Sequence, residues 1–167
     1  MYQFSEKSQA YHARLQAFME QHIYPNEHNY AAQLARANSR FDYLPIMDEL
    51  KGKAREVGLW NLFVPPTHAE FCDHEGLSNF DYAPLAETMG RVLWSPEVFN
   101  CNAPDTGNME VLMKYGTVEQ QAQWLTPLLD GDIRSSYAMT EPQVASSDAT
   151  NIELNMRRDG QEWVLNG

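Results

Sequence analysis

The run Thr140-Glu141-Pro142-Gln143-Val144-Ala145-Ser146-Ser147-Asp148-Ala149-Thr150 is dense in groups that could do chemistry. It follows directly on an alternating stretch, and Pro142 can fix a turn. Serine hydroxyls beside the free N–H groups of a strand end suit an anionic or heteroaromatic ligand. The plainer alternative is a loop held by its own Ser and Asx turns. Glu141 and Asp148 are candidate general bases, yet neither has a partner histidine or a second positioned carboxylate. No histidine lies beyond His74, so no Ser/His/Asp nucleophile can be argued. The run holds no GxGxxG and no Walker pattern, so a Rossmann or P-loop site is unsupported.

Three further groups need weighing. His68, Cys72 and His74 fall within seven residues, among Glu70, Asp73 and Glu75. Their spacing matches no standard zinc pattern and no second ligand pair follows, so the expectation is a solvated acidic loop and no metal. Asp105-Thr106-Gly107-Asn108 opens a helix, with Asp105 as its cap. Gly107 there costs about 1 kcal/mol relative to alanine, which points to packing or to room for a ligand chain. Met109 and Met113 suit a core, or the wall of an acyl pocket. Tyr137 and Trp163 either pack a β-core or stand beside a flat heteroaromatic ring.

Helices must position most of these groups. Tyr11, Leu15, Phe18, Met19 and Ile23 form an amphipathic stripe, which Pro25 kinks before helix resumes through 31–37. A second helix is predicted over Ile46–Val57, ending at Gly58. The apolar run Leu59–Val64 stops at Pro65-Pro66. Ser78-Asn79-Phe80-Asp81 reads as a capping start for a helix to about Arg91, and Ser95-Pro96 as a cap plus first-turn proline. Helices over Thr106–Tyr115 and from Thr117 follow, the latter with Trp124, Leu125, Leu128 and Leu129 on its apolar face and Gly131 at its end. The period then becomes two. Ile133–Thr140 reads as a strand, and Ile152, Leu154 and Met156 alternate before an Asp159-Gly160 hairpin turn and Trp163-Val164-Leu165. About three strands have little to pack against, so the chain reads as cut inside a β-domain, with a longer parent or a partner chain supplying the missing layer.

Composition narrows the partners. The 167 residues, 43% hydrophobic with four tryptophans, support one domain with a core and a second only in part. The net charge of −11, from 23 acidic against 12 basic residues, argues against nucleic acid and against an anionic membrane surface. No apolar run approaches the ~20 residues of a membrane span or the length of a signal peptide's apolar core. With only Cys72 and Cys101, this predicts a reducing, cytoplasmic location.

At Tyr137-Ala138-Met139-Thr140-Glu141-Pro142, followed by Ser147-Asp148, the sequence resembles the acyl-CoA dehydrogenase family. Residues 115–131, from Tyr115-Gly116-Thr117 to Leu129-Asp130-Gly131, resemble that family's helix leading into the same strand. The 143–148 loop lacks glycine and is one residue longer than the common form. That loop and the run Asn100 to Glu110 are similar to the branch containing family members 10 and 11, which handles long, branched or 4-hydroxy-derived acyl-CoAs. The resemblance implies an N-terminal helical domain, a middle β-domain and a C-terminal four-helix domain, of which this chain holds the first and the start of the second. It implies removal of the acyl α-hydrogen as a proton and passage of the β-hydrogen as hydride to FAD, with electrons going on to an electron-transfer flavoprotein.

The resemblance also assigns residues. Tyr137, Ala138, Met139, Thr140, Ser146 and Ser147 would line the FAD site, with Ser147 at the flavin–substrate junction. Phe99, Asn100 and Gly107 would join Ser147 in lining the substrate site, the glycine deepening the acyl pocket. No catalytic residue is assigned, because the family's carboxylate base lies in the C-terminal domain.

The expected architecture is therefore α+β: an all-α helical bundle over 1–132, then the beginning of an antiparallel β-domain over 133–167. The expected function is the N-terminal part of an FAD-dependent acyl-CoA dehydrogenase, inactive alone, with acyl-CoA as substrate and a homo-oligomeric parent. The alternatives are a truncated, non-catalytic homologue acting as an interaction module, and a helix-rich domain carrying a chance Thr-Glu-Pro loop.

Overall fold

The computed structural model describes residues 3–39 and 42–167, which divide into two compact units, 1–135 and 136–167. The first unit is helical. Helix α1 (Glu6–Phe18) starts at Ser5, whose hydroxyl oxygen accepts the Ser8 N–H at 3.0 Å. It runs into a π-helical turn at Met19–Ile23 and a 3₁₀ turn at Tyr24–Asn26. Pro25 supplies no N–H and cannot continue the regular ladder, so the chain re-forms as α2 (Glu27–Leu34). Of the predicted stripe, Leu15, Phe18, Met19 and Ile23 are buried.

Helix α3 (Pro45–Glu56) opens on a proline at its first position and buries Ile46, Met47, Leu50 and Ala54. Gly58, at φ +66°, ends it in the left-handed region. The run behind it is a buried loop. Leu59, Leu62, Phe63 and Val64 are enclosed, while the Asn61 N–H donates to the Phe99 carbonyl at 3.0 Å and the Leu77 N–H to Val64 at 2.9 Å. A 3₁₀ segment, Pro66–Phe71, leads on to α4 (Asn79–Met89).

Ser78 caps α4 as predicted, accepting the Asp81 N–H. The Asp81 carboxylate then accepts hydroxyls from both Ser5 and Ser78 at 2.7 Å, tying the starts of α1 and α4 together across 76 residues.

Four short elements complete the unit around the same core: α5 (Ser95–Val98), α6 (Asp105–Tyr115), α7 (Val118–Gln120) and α8 (Thr126–Leu129), the last two joined by a π-helical turn at Gln121–Leu125. Thr117 and Gln120 form a reciprocal capping box on α7. Leu125, Leu128 and Leu129 are buried, whereas Trp124 is exposed. Two caps differ from expectation. Ser95 lies inside α5, and its buried hydroxyl donates to the Met89 carbonyl at 2.6 Å, joining α5 to the end of α4. Asp105 is the first residue of α6, and its carboxylate turns away to Arg134 and Ser135.

The second unit carries a two-stranded antiparallel sheet, β1 (Asn155–Asp159) and β2 (Glu162–Asn166). Asp159 pairs with Glu162, so the loop is Gly160-Gln161, one residue later than the sequence signal. Gly160 at φ +61°, followed by a residue of negative φ, is the type II′ pattern. The strand expected over Ile133–Thr140 is absent among the described residues. The alternation is there in the sequence, but no neighbouring strand pairs with it, and a strand exists only through its ladder. The chain thus joins a helical unit to a short antiparallel hairpin, an α+β arrangement.

Candidate functional site

In the second unit, Tyr137, Ala138, Met139 and Thr140 are all exposed. Among the described residues of this unit, the peptide groups of Tyr137, Ala138 and Thr140 form no hydrogen bond. They make an open edge of donors and acceptors.

The loop behind this edge is stapled by one residue. Ser146 is fully buried; its hydroxyl oxygen accepts the Glu141 N–H at 2.5 Å and its O–H donates to the Met139 carbonyl at 3.0 Å. The Glu141 carboxylate accepts the N–H groups of Glu153 and Leu154 at 3.0 and 2.9 Å. Asp148 caps a 3₁₀ turn at Ala149–Asn151. Its bonds from the Thr150 hydroxyl and N–H hold its carboxyl below the usual range.

Ser146 is thus a structural staple, whereas Thr140 and Ser147 keep exposed hydroxyls. Neither acidic group is poised as a base: Glu141 braces the loop and Asp148 caps it. Tyr137 and Trp163, 69% and 58% exposed, pack no core within this unit.

In the helical unit the chain approaches its last residues along a buried carboxylate. Asp105, 1% exposed, accepts Arg134 Nε–H at 2.6 Å, the Ser135 N–H at 2.7 Å and the Ser135 hydroxyl at 2.6 Å. Burial alone would raise its pKa, but the Ser135 bonds and Arg134 outweigh that and hold the carboxyl below its usual value. Arg134 also pairs with Glu97 at 2.6 Å, and Glu97 with Lys51 at 3.0 Å. Asn108 donates to Ser135 Oγ at 2.8 Å.

Beside this network α6, α8 and Ile133 form a groove of about 320 Å³, lined by Val111, Leu112, Trp124 and Leu128 among others. Gly107 precedes it on α6 and is exposed; a β-carbon there would meet nothing within 4 Å. Close packing is therefore not its reason, and open space remains. Phe99 is fully buried, edge-on to Phe18 at 5.3 Å. The Asn100 amide is spent on Asn61 Oδ1 (2.7 Å) and the carbonyls of Leu128 (2.9 Å) and Leu129 (3.2 Å). Met109 and Met113 lie in the core.

Sequence reasoning missed this clasp. Asn61 and Asn100 both sit at positive φ, +55° and +52°, and with Trp60 Nε1–H they converge on the Leu129 carbonyl that ends α8. The one signal was an asparagine inside the apolar run Leu59–Val64.

A second cleft of about 580 Å³ lies among Tyr11, Arg14, Arg55, Trp60, Phe71 and His74. Both arginines along it stack on aromatic rings, Arg55 at 3.9 Å over Trp60 and Arg14 at 5.1 Å over Tyr11. His74 Nδ1 accepts the Gly76 N–H at 3.0 Å, which leaves Nε2–H to donate to the Asn61 carbonyl at 3.2 Å. Burial pushes its pKa down, so the neutral ring is favoured. The Cys72 thiol donates to the His74 carbonyl, and burial raises its pKa. Burial likewise pushes the Cys101 thiol up to about 11. Among the described residues no three His, Cys, Asp or Glu side chains are grouped to hold a metal.

The family model for the acyl-CoA dehydrogenase N-terminal domain matches residues 5–132. The chain belongs to the acyl-CoA dehydrogenase family. It is 52% identical to mouse acyl-CoA dehydrogenase family member 10, over 92% of this chain and 14% of that protein. It is 50% identical to the Mycobacterium tuberculosis protein named probable acyl-CoA dehydrogenase FadE2, over 98% of this chain and 39% of that one. A solved Mycobacterium abscessus structure assigned to the acyl-CoA dehydrogenases is 48% identical with a TM-score of 0.87, covering 99% of this chain and 42% of that one. The chain thus spans less than half the length of these family members.

Proposed function

We propose that this chain is the N-terminal part of an FAD-dependent acyl-CoA dehydrogenase, and that Tyr137–Ser147 forms one side of its flavin site. The observation that carries this reading is the open edge at 137–140. The peptide groups of Tyr137, Ala138 and Thr140 are unspent, the loop is braced from behind by Ser146 and Glu141, and the Thr140 and Ser147 hydroxyls are exposed. These groups fit the rim of a flat heterocycle that needs in-plane donors and acceptors, and the side chains of Tyr137 and Met139 can exclude water from its face.

FAD, when bound, supplies the acceptor for the hydride leaving the acyl β-carbon. The chain's own residues bind and orient. Ser147 offers a hydroxyl at the substrate side. Gly107 leaves space for the acyl chain, while Phe99 and Asn100 hold the backbone behind that wall. No carboxylate described above is poised to take the α-proton, so the chain does not complete the reaction alone. The wider protein then acts on a long or branched acyl-CoA, passes electrons to an electron-transfer flavoprotein and assembles as a homo-oligomer. Cys72 and Cys101 are free thiols, in accord with the cytoplasm. Among the described residues no helix is long and apolar enough to cross a membrane.

Titrating FAD into the purified chain, followed by flavin absorbance and fluorescence, tests this. The expected result is saturable micromolar binding that weakens several-fold in Thr140→Ala. No saturable binding would reject an independent flavin platform. The groove on α6 and α8, with exposed Val111 and Trp124, would then favour a module that docks another chain.

A further inference from the structure

The geometry points to Asp105 as the positioning residue of the flavin-facing segment: it pins Ser135, the last residue of the helical unit, from which Tyr137–Thr140 departs two residues later. Its purpose rests on the flavin reading above; its geometry does not.

Three features separate it from an ordinary helix-start carboxylate. Asp105 occupies the first position of α6 without capping it, and the cap position is Pro104. Both carboxylate oxygens are committed across 29 or 30 residues, Oδ1 to the Ser135 N–H and hydroxyl and Oδ2 to Arg134 Nε. The site is also closed from the other side, because Asn108, one turn along α6, donates to the same Ser135 hydroxyl, and Glu97 holds the far edge of the Arg134 guanidinium.

Ser135 is therefore gripped at backbone and side chain by charge-assisted bonds to a buried carboxylate. An exposed ion pair would leave the chain free to wander. A buried carboxylate with matched donors allows one arrangement, so the helical unit ends at a fixed Ser135. In binding terms this is preorganisation: order settled in the free protein is not lost again when the ligand arrives.

The test compares Asp105→Ala and Asp105→Asn with Met109→Ala, a buried apolar residue on the same helix that supplies none of the network's hydrogen bonds. Amide hydrogen exchange is read residue by residue in each folded variant. The expected result is at least tenfold faster exchange at Ser135 and its neighbours in Asp105→Ala, a smaller rise in Asp105→Asn, and unchanged protection in α3. Met109→Ala should loosen the helical unit as a whole without singling out Ser135. Where the wild-type chain binds FAD, its Kd should weaken about tenfold in Asp105→Ala and stay near wild type in Met109→Ala. Equal exchange at Ser135 in Asp105→Ala and Met109→Ala overturns the proposal, as does an unchanged Kd in Asp105→Ala. A wild-type chain that binds no FAD sinks the flavin reading, and the exchange data alone then decide whether Asp105 holds the segment.

Discussion

Asn100 shows how much of this structure hangs on single polar side chains. Its amide reaches Asn61 and two carbonyls at the end of α8, and its backbone stands at φ +52°. Alanine there loses the bonds, leaves buried carbonyls short of a donor and strains at positive φ, so Asn100→Ala should cost about 3–5 kcal/mol in urea unfolding. Asn100→Gly loses the same bonds without the strain and should come out about 1 kcal/mol less damaging. Equal losses would mean that conformation contributes nothing. His74 supports the same clasp from the other side, through the Asn61 carbonyl. Its folded pKa lies below the ordinary 6.5, so below that pH the unfolded chain binds more protons than the folded one. Stability should therefore fall as pH drops through about 6.5, at up to about 1.4 kcal/mol per pH unit, and level off below the folded pKa. His74→Gln should flatten that slope; an unchanged slope would assign it elsewhere. Asp105, also lowered, acts in a separate and more acidic window, its contribution present above the ordinary carboxylate range and lost below it.

Helices were legible wherever a local signal defined them. Ser78 with Asp81, Thr117 with Gln120 and Gly58 after α3 all act as the sequence predicts, because a cap is settled within four residues. The strand over Ile133–Thr140 was not legible, since pairing is decided by a neighbour that spacing does not reveal. The Asp105–Ser135 grip was hidden for the same reason: two ordinary residues 30 apart carry no joint pattern. Gly107 falls between. Its cost was visible, but its cause was read as packing or space, and only space remains. Gly107→Ala should stabilise the helical unit by about 0.5–1 kcal/mol in thermal unfolding, since its β-carbon meets nothing and the helix gains propensity. Gly76→Ala should do the reverse. At φ +72° its β-carbon would lie 2.5 Å from Pro66 N, a backbone atom, so a loss of about 3 kcal/mol or more is expected. A tolerated Gly76→Ala would mean that the 65–76 loop repacks freely.

The two units differ in what holds them together. The helical unit shares one cluster from Leu15 to Leu129, whereas every residue of β1 and β2 is exposed. The register sets Met156 opposite Leu165 and Arg158 opposite Trp163, so Met156, Trp163 and Leu165 stand on one face, each about 60% exposed. A lone two-stranded hairpin is marginal in water, and an apolar face with open edges offers the same remedy to any copy that meets it. The net charge of −11 opposes association at long range, but it is screened beyond roughly 8 Å at physiological salt, while edge pairing acts at contact. The chain at high concentration should therefore self-associate, with sedimentation coefficients that rise over a roughly hundredfold concentration range. Leu165→Lys places a charge on the apolar face and should restore the monomer. Trp124→Lys, on the helical groove, should leave the association as it was. The opposite result would move the adhesive surface from the hairpin to α6 and α8. A wild-type chain that stays monomeric with slowly exchanging β1 and β2 amides would show that the hairpin is stable alone, and that its exposed face is no liability.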